Sequence, residues 1–273
     1  MDVKKFMVAP GEKISLDETD RNGSVEFEGD KKEALKKIEK LKHQLEELQG
    51  KLYASHNHKV LIVLQAMDTA GKDSTIKLVF EGVNPQGVRV VNFRTPSQEE
   101  ADHDFLWRIH QQVPKNGEIV IFNRSHYEAV LVERVHKLVQ EEVWKNRYQQ
   151  INDFERMLSA EGMTILKFYL NISPEEQEKR LKDREKDPTK EWKYSASDIH
   201  ESKFWQEYMK AYEDVLAKTS TDWAPWYLVP SNHKWLRDLV VSSAIVHSVE
   251  KLHLEYPKLD EKTDASSPKT ESS

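Results

Sequence analysis

The apolar run Val60–Leu64, VLIVL, leads through Gln65 straight into Ala66-Met67-Asp68-Thr69-Ala70-Gly71-Lys72-Asp73-Ser74-Thr75. Five consecutive apolar residues bounded by turn signals suit a strand buried on both faces. The run gives way to a tight turn carrying Gly-Lys and then to a helical pattern. A strand, such a turn and a helix N-terminus, in that order, make a cradle for an anion. Backbone N–H groups and the positive end of the helix dipole face the ligand, and the lysine bridges phosphate oxygens.

The rest of the chain repeats the strand and helix alternation. Short apolar runs recur at Val88–Phe93, Glu118–Phe122, Thr164–Leu170 and Trp226–Val229. Helical patterns separate them over Asp73–Glu81, Gln98–Gln112, His126–Gln140, Glu141–Ala160, Pro174–Glu185 and Asp198–Thr219. This predicts an α/β fold, a doubly wound parallel sheet flanked by helices. Ahead of the first strand, Leu35, Ile38, Leu41, Leu45 and Leu48 recur at three or four residues, an amphipathic helix over Lys31–Tyr53. Its apolar face either packs on its own domain or meets a second copy. Residues 1–30 lack periodicity and read as an arm crossing the surface, residues 31–258 as one domain, and the polar residues 259–273 as a disordered tail.

Composition narrows the chemistry. The chain has no cysteine, which excludes disulfides, thiolate metal sites and cysteine nucleophiles. No apolar run approaches the ~18 residues of a membrane span, and MDVKKFMVAPGEK lacks the features of a signal peptide. The expected setting is therefore the cytoplasm, with no membrane partner. A net charge of −6 argues against a nucleic-acid partner. A polyanionic substrate is still compatible, because residues 179–193, KRLKDREKDPTKEWK, hold seven Lys or Arg against four Asp or Glu.

Three segments carry candidate chemistry. The loop departs from the P-loop pattern G-x-x-x-x-G-K-[ST]: Ala66 replaces the first glycine, and Asp73 intervenes before Ser74 and Thr75. A turn in which Asp68 caps a helix is the alternative reading. The third strand runs into Asn123-Arg124-Ser125-His126-Tyr127-Glu128. Taken alone this is a helix start capped by Asn123 or Ser125; in a P-loop fold the same strand end lies beside the phosphates and their Mg²⁺. The basic cluster places Arg180 and Arg184 four apart on one helix face, with Lys193 beyond Asp187-Pro188. Charge runs of this kind are usually solvated faces, yet in P-loop kinases this position holds a lid whose arginines clamp the transferring phosphoryl group. His103, His110 and His126 show no metal-ligand spacing and read as structural.

MDTAGKDST, VNFRTPSQEE, HDFLWRIH, FNRSHYE and DREKDPTKEWKYSASD together resemble the polyphosphate kinase 2 family over about residues 30–255. FNRSHYE, in place of the DRSWYN form of the diphosphate-specific members, is similar to the class III branch, which phosphorylates nucleoside mono- and diphosphates. The resemblance implies a P-loop kinase-like fold with a helical lid at about 180–200. It implies Asp68 beside Mg²⁺ (with Mn²⁺ as substitute), Lys72 on the phosphates, and Ala70, Gly71, Asp73, Ser74 and Thr75 completing the cradle. Arg124 would bind phosphate, and Glu128 would sit near the nucleotide and influence the choice of acceptor. Asn123, at the second motif's acidic position, would act on metal directly or through water. Arg180, Arg184 and Lys193 would form the lid, with Arg94 and Arg108 as weaker nucleotide contacts.

The implied reaction is reversible, Mg²⁺-dependent transfer from inorganic polyphosphate to ADP and AMP, with guanine nucleotides as the second base class. The implied assembly is a homo-oligomer, a dimer or tetramer. The acceptor oxygen is already ionised, so no general base is required. Two rivals stand beside this reading: an ATP-dependent nucleotide or nucleoside kinase of the same fold, and a non-catalytic polyphosphate or nucleotide binder.

Overall fold

The computed structural model describes residues 1–23, 27, 29–186 and 201–258. Five strands form one sheet: β1 (Lys59–Gln65), β2 (Val88–Asn92), β3 (Ile119–Asn123), β4 (Met163–Asn171) and β5 (Trp226–Pro230). They run parallel in the order β2-β3-β1-β4-β5. The central strands are the apolar runs of the sequence, with Val60 to Leu64 and Ile119 to Phe122 almost wholly buried. Parallel neighbours need crossover helices, which is why the sheet is covered on its faces. From β1 the chain passes to the edge strand β2, returns to β3 between them, and then crosses to the other side of β1 for β4 and β5. Loops leaving the carboxyl ends at such a reversal diverge and open a crevice.

Among the described residues the α-helices are α1 (Lys31–Ser55), α2 (Lys72–Val79), α3 (Gln98–Asp102), α4 (Trp107–His110), α5 (Val132–Val135), α6 (Glu141–Ala160), α7 (Pro174–Lys186), α8 (Trp205–Thr219) and α9 (Lys234–Glu250). Helix α1 starts on an Asp30 cap and packs along α9, where Ala34 and Ile38 bury against Leu239. Its apolar face is thus used within the domain. Helices α6 and α8 pack together, and α6 lies against β4.

Two expected helices are broken. Over Gln98–Gln112 the chain forms α3 on a Ser97/Glu100 capping box, stops, and restarts as α4. The Asp104 side chain accepts from the Leu106 N–H and its carbonyl from the Trp107 N–H, a local turn that competes with helix. Over His126–Gln140 there is only a 3₁₀ turn, His126–Ala129, and then the single turn α5. Helix α9 has no clear period in the sequence because it is buried nearly all round, from Leu236 to Val249. The N-terminal arm is more than a surface crossing. Val3, Phe6, Val8 and Leu16 enter the main core, and Met7 bridges antiparallel to Tyr227 on the free edge of β5.

Candidate active site

Register brings the two candidate loops together. Leu64 on β1 pairs with Asn123 on β3, and the Arg124 N–H donates to the Leu64 carbonyl at 3.1 Å. The loop after β1 and the turn after β3 therefore leave the sheet side by side. Both contain backbone in the left-handed region: Thr69 at φ 66°, Gly71 at φ 112° and Arg124 at φ 64°. For the two non-glycine residues this strain costs on the order of 1–3 kcal/mol each and persists only where the surroundings over-determine it.

At the first loop Lys72 begins α2 and turns back, donating from Nζ to the Ala66 carbonyl at 2.8 Å. Burial first, and the Arg124 charge second, hold its ammonium down to about 8 from the ordinary 10.5, against the pull of Asp68, Glu128 and Asp73. Asp68 accepts from Arg124 Nη2 at 2.9 Å, and Arg124 Nη1 stands 3.6 Å from Glu128. These carboxylates, Glu128 first, hold the guanidinium pKa above its ordinary value despite burial. Asn123 closes the far side, donating to Asp73 Oδ1 at 2.9 Å and to Asn92 Oδ1 at 2.7 Å. Groups from the carboxyl ends of three strands thus ring one mouth.

The loop is gripped from beneath by two buried arginines that converge on one carbonyl. Arg180 on α7 donates to Thr69 O and Ala70 O from Nη1, to Ser231 O and Asn232 O from Nη2, and to Glu176 from Nε. Arg237 on α9 donates to Ala70 O at 3.0 Å, to Ser74 Oγ at 3.1 Å and to Asp238 at 2.8 Å, and Asp238 accepts from Thr75 Oγ1 at 3.1 Å. Gly71 is required for this approach as well as for its φ, because a Cβ there would overlap Arg237 Nη1. So Ser74 and Thr75 spend their hydroxyls on the underside of the loop, while Ala70 and Gly71 supply backbone.

The expectation that Arg180 is a lid cation is corrected. Its side chain is 8 % exposed, and its N–H groups are committed to four backbone carbonyls and a carboxylate, so it braces the loop and has no donor to offer a ligand. Arg184 lies in the last turn of α7, half-buried, and Lys193 lies outside the described residues along with most of the expected lid. Arg108 is drawn into its own segment: Nη1 donates to the Arg94 carbonyl at 2.8 Å and lies 3.4 Å from Glu100, over the Phe93 ring. Arg94 is exposed just past the carboxyl end of β2.

Arg237 and Asp238 were missed in the sequence. The signal was present: an Arg-Asp pair inside the apolar stretch WLRDLVV is too costly to bury without a purpose. The same holds for Lys167 inside the strand run TILKFYL. By contrast, no sequence signal marks the carbonyls of Ser231 and Asn232 as partners of Arg180.

Oxygen ligands dominate the mouth. Among the described residues no three His, Asp or Glu side chains cluster tightly enough to hold a metal alone. Asp68 and Asp73 are near the loop, and the buried Thr69 hydroxyl has no partner. One or two carboxylates completed by substrate phosphates and water is the set Mg²⁺ prefers, so the residues fit that ion. The chemistry such a mouth can perform is phosphoryl transfer by alignment and neutralisation of charge, with no nucleophilic side chain.

Comparison with known proteins points the same way. The sequence model of polyphosphate kinase 2 matches residues 28–257. The AMP/ADP-polyphosphate phosphotransferase of Meiothermus ruber is 50 % identical over 256 residues, covering 94 % of this chain and 96 % of that protein. The ADP-polyphosphate phosphotransferase of Rhodopseudomonas palustris is 41 % identical over 267 residues, 93 % of this chain and 92 % of the relative. The crystal structure of polyphosphate kinase 2 from Arthrobacter aurescens TC1 superposes with a TM-score of 0.88 at 40 % identity, over 93 % of this chain and 94 % of that one. Since the match runs from just before α1 to just past α9, loop and braces included, this chain belongs to the polyphosphate kinase 2 family.

Proposed function

We propose that the protein transfers phosphoryl groups from inorganic polyphosphate to ADP and to AMP, reversibly. The observation that carries the reading is the paired mouth, where Lys72 and Arg124 present cations beside Asp68 at a phosphate loop braced from below. The relatives' names support the donor and both acceptors. An oxygen of the nucleotide's terminal phosphate attacks the terminal phosphorus of the chain. The P–O bond to the next polyphosphate unit breaks, and polyphosphate leaves one unit shorter. Arg124, swinging from Asp68 to phosphate, and Lys72 neutralise the charge that spreads over the transferring group. Asp68, with Asp73 or Asn123 beside it, would hold Mg²⁺, or Mn²⁺ in its place, and the ion would supply neutralisation of phosphate charge when bound. Glu128, beside Arg124, is assigned to the acceptor, and Arg184 and Arg94 to the outer phosphates, while the role expected of Lys193 lies outside the described residues. The protein works in the cytoplasm as a homo-oligomer.

Purified protein with Mg²⁺, ADP or AMP, and polyphosphate as the only donor tests this. ATP must form from ADP, and ADP then ATP from AMP. Contaminating adenylate kinase converts at most half of the ADP to ATP, so the yield must pass that ceiling. An ATP-dependent kinase is silent here and active with ATP plus a nucleoside or nucleoside monophosphate, and a simple binder is silent in both.

A further inference from the structure

Beneath the turn that carries Arg124 and Glu128 lies a buried polar cluster which the chemistry above does not use. Lys167 on β4 and Glu155 on α6 are both fully buried and meet at 2.6 Å. Lys167 Nζ also donates to Tyr127 OH at 2.9 Å and to the Thr219 carbonyl at 2.6 Å, which occupies its three protons. On the other carboxylate oxygen, Tyr127 OH donates at 2.8 Å and His126 Nε2 lies 3.1 Å away. That oxygen accepts, so the His126 contact is made through an Nε2–H, while its buried Nδ1 has no partner.

Stability alone does not call for this arrangement. A buried ion pair must overcome the desolvation of both charges, and an apolar pair of equal volume is often as stable or more so. The cluster does something an apolar pair cannot. It draws two consecutive side chains, His126 and Tyr127, onto one oxygen and so allows the 3₁₀ turn a single register. Just upstream, Ser125 Oγ accepts from buried Gln65 Nε2 at 3.1 Å and from the Tyr127 N–H at 3.2 Å. Arg124 is thus held between β3 on one side and these anchors on the other, at a φ of 64°. Strained backbone of this kind needs fixed flanks.

We infer that the buried Glu155–Lys167 pair is a positioning device for phosphoryl transfer, fixing the turn so that Arg124 faces Asp68 and Glu128 faces the acceptor. It rests on the phosphotransfer reading and adds residues that touch neither substrate. Glu155→Gln/Lys167→Met removes both charges together, and Tyr127→Phe removes only the hydroxyl, one of the two links from the pair to the turn, leaving that of His126. Each is measured for thermal midpoint, for kcat and KM with polyphosphate and ADP, and again in an Arg124→Lys background. Both variants are expected to lower kcat by about tenfold or more at a temperature where they are folded. In the Arg124→Lys background the further loss should shrink to less than about threefold, since residues acting through one group are not additive. A merely structural cluster would shift the thermal midpoint and leave kcat alone, or its factor would multiply with that of Arg124→Lys; either result in a folded variant overturns the inference. If the double variant does not fold, Tyr127→Phe decides alone. Wild-type protein without polyphosphate-driven turnover would defeat the proposed function and this inference with it, whereas active wild type with unaffected variants defeats only the inference.

Discussion

Replacing Gly71 by alanine tests the bracing of the phosphate loop most directly. Two effects combine. At φ 112° any L side chain is strained, which costs about 1–2 kcal/mol. The new Cβ would also overlap Arg237 Nη1 and stand 2.8 Å from its Cζ. Arg237 is 1 % exposed, enclosed by Ala70, Ser74 and Asp238, and cannot rotate into solvent. Giving way means losing its bond to Ala70 O or to Ser74 Oγ, and a bond from a charged donor contributes roughly 1.5–3 kcal/mol. The total is about 2.5–5 kcal/mol, which in a domain of this size lowers the thermal midpoint by roughly 5–20 °C. Catalysis should suffer independently, because a loop displaced by about 1 Å costs about 10²-fold through lost alignment. The assay is ATP formation from ADP and polyphosphate, well below the variant's midpoint, beside a thermal melt. In an Arg237→Met background the stability penalty of Gly71→Ala should fall to the backbone share, about 1–2 kcal/mol. A Gly71→Ala protein with wild-type midpoint and kcat/KM, or an undiminished penalty in that background, would refute the reasoning.

Lys72→Met should lower kcat/KM about 10²-fold, because the cation meets developing charge. The same substitution should raise the ligand-free thermal midpoint at pH 7. Below pH 8 the lysine is charged in both states, so the folded state bears its burial cost; as pH rises from 8 to 10.5 the unfolded chain binds more protons and that cost disappears, so the gain should vanish by pH 10.5. For the same reason, wild-type kcat/KM for polyphosphate should fall above about pH 8, with the limb absent in Lys72→Met, as a pH–rate profile would show. Arg180→Lys should lower the thermal midpoint and kcat together, since one ammonium cannot serve four carbonyls and Glu176; loss of polyphosphate affinity with an unchanged midpoint would restore the lid role. Glu128→Asn should change the ratio of kcat/KM for AMP to that for ADP, and an unchanged ratio would leave Glu128 as a helix-turn carboxylate held by Arg124.

The five strands, the parallel sheet and the Gly-Lys turn after the first strand are legible in the sequence alone, because each is written in local pattern, whereas α9 and the breaks in two expected helices are not. Val60–Leu64 suits a buried strand, and Gly71-Lys72 after it turns into a helix whose N-terminus is suited to an anion. Lys72 stands out for the same reason, whereas the roles proposed for Asp68, Arg124 and Glu128 come from the family resemblance of MDTAGKDST and FNRSHYE, since Asn123–Glu128 taken alone reads as a capped helix start. What only the tertiary structure decides is the use of charge at a distance. Arg180 has the sequence context of a solvated or mobile cation, and only the meeting of α7 with the loops after β1 and β5 turns it inward onto carbonyls that leave no mark in the sequence. Arg237, 166 residues beyond Gly71 in the chain, reaches the same loop only because α9 folds back along it. Glu155 and Lys167 sit on a helix and a strand whose patterns say nothing of their pairing under Tyr127. Propensity and periodicity are properties of neighbours in the chain, whereas the partner of a buried charge is chosen by which distant element the packing brings within 3 Å of it.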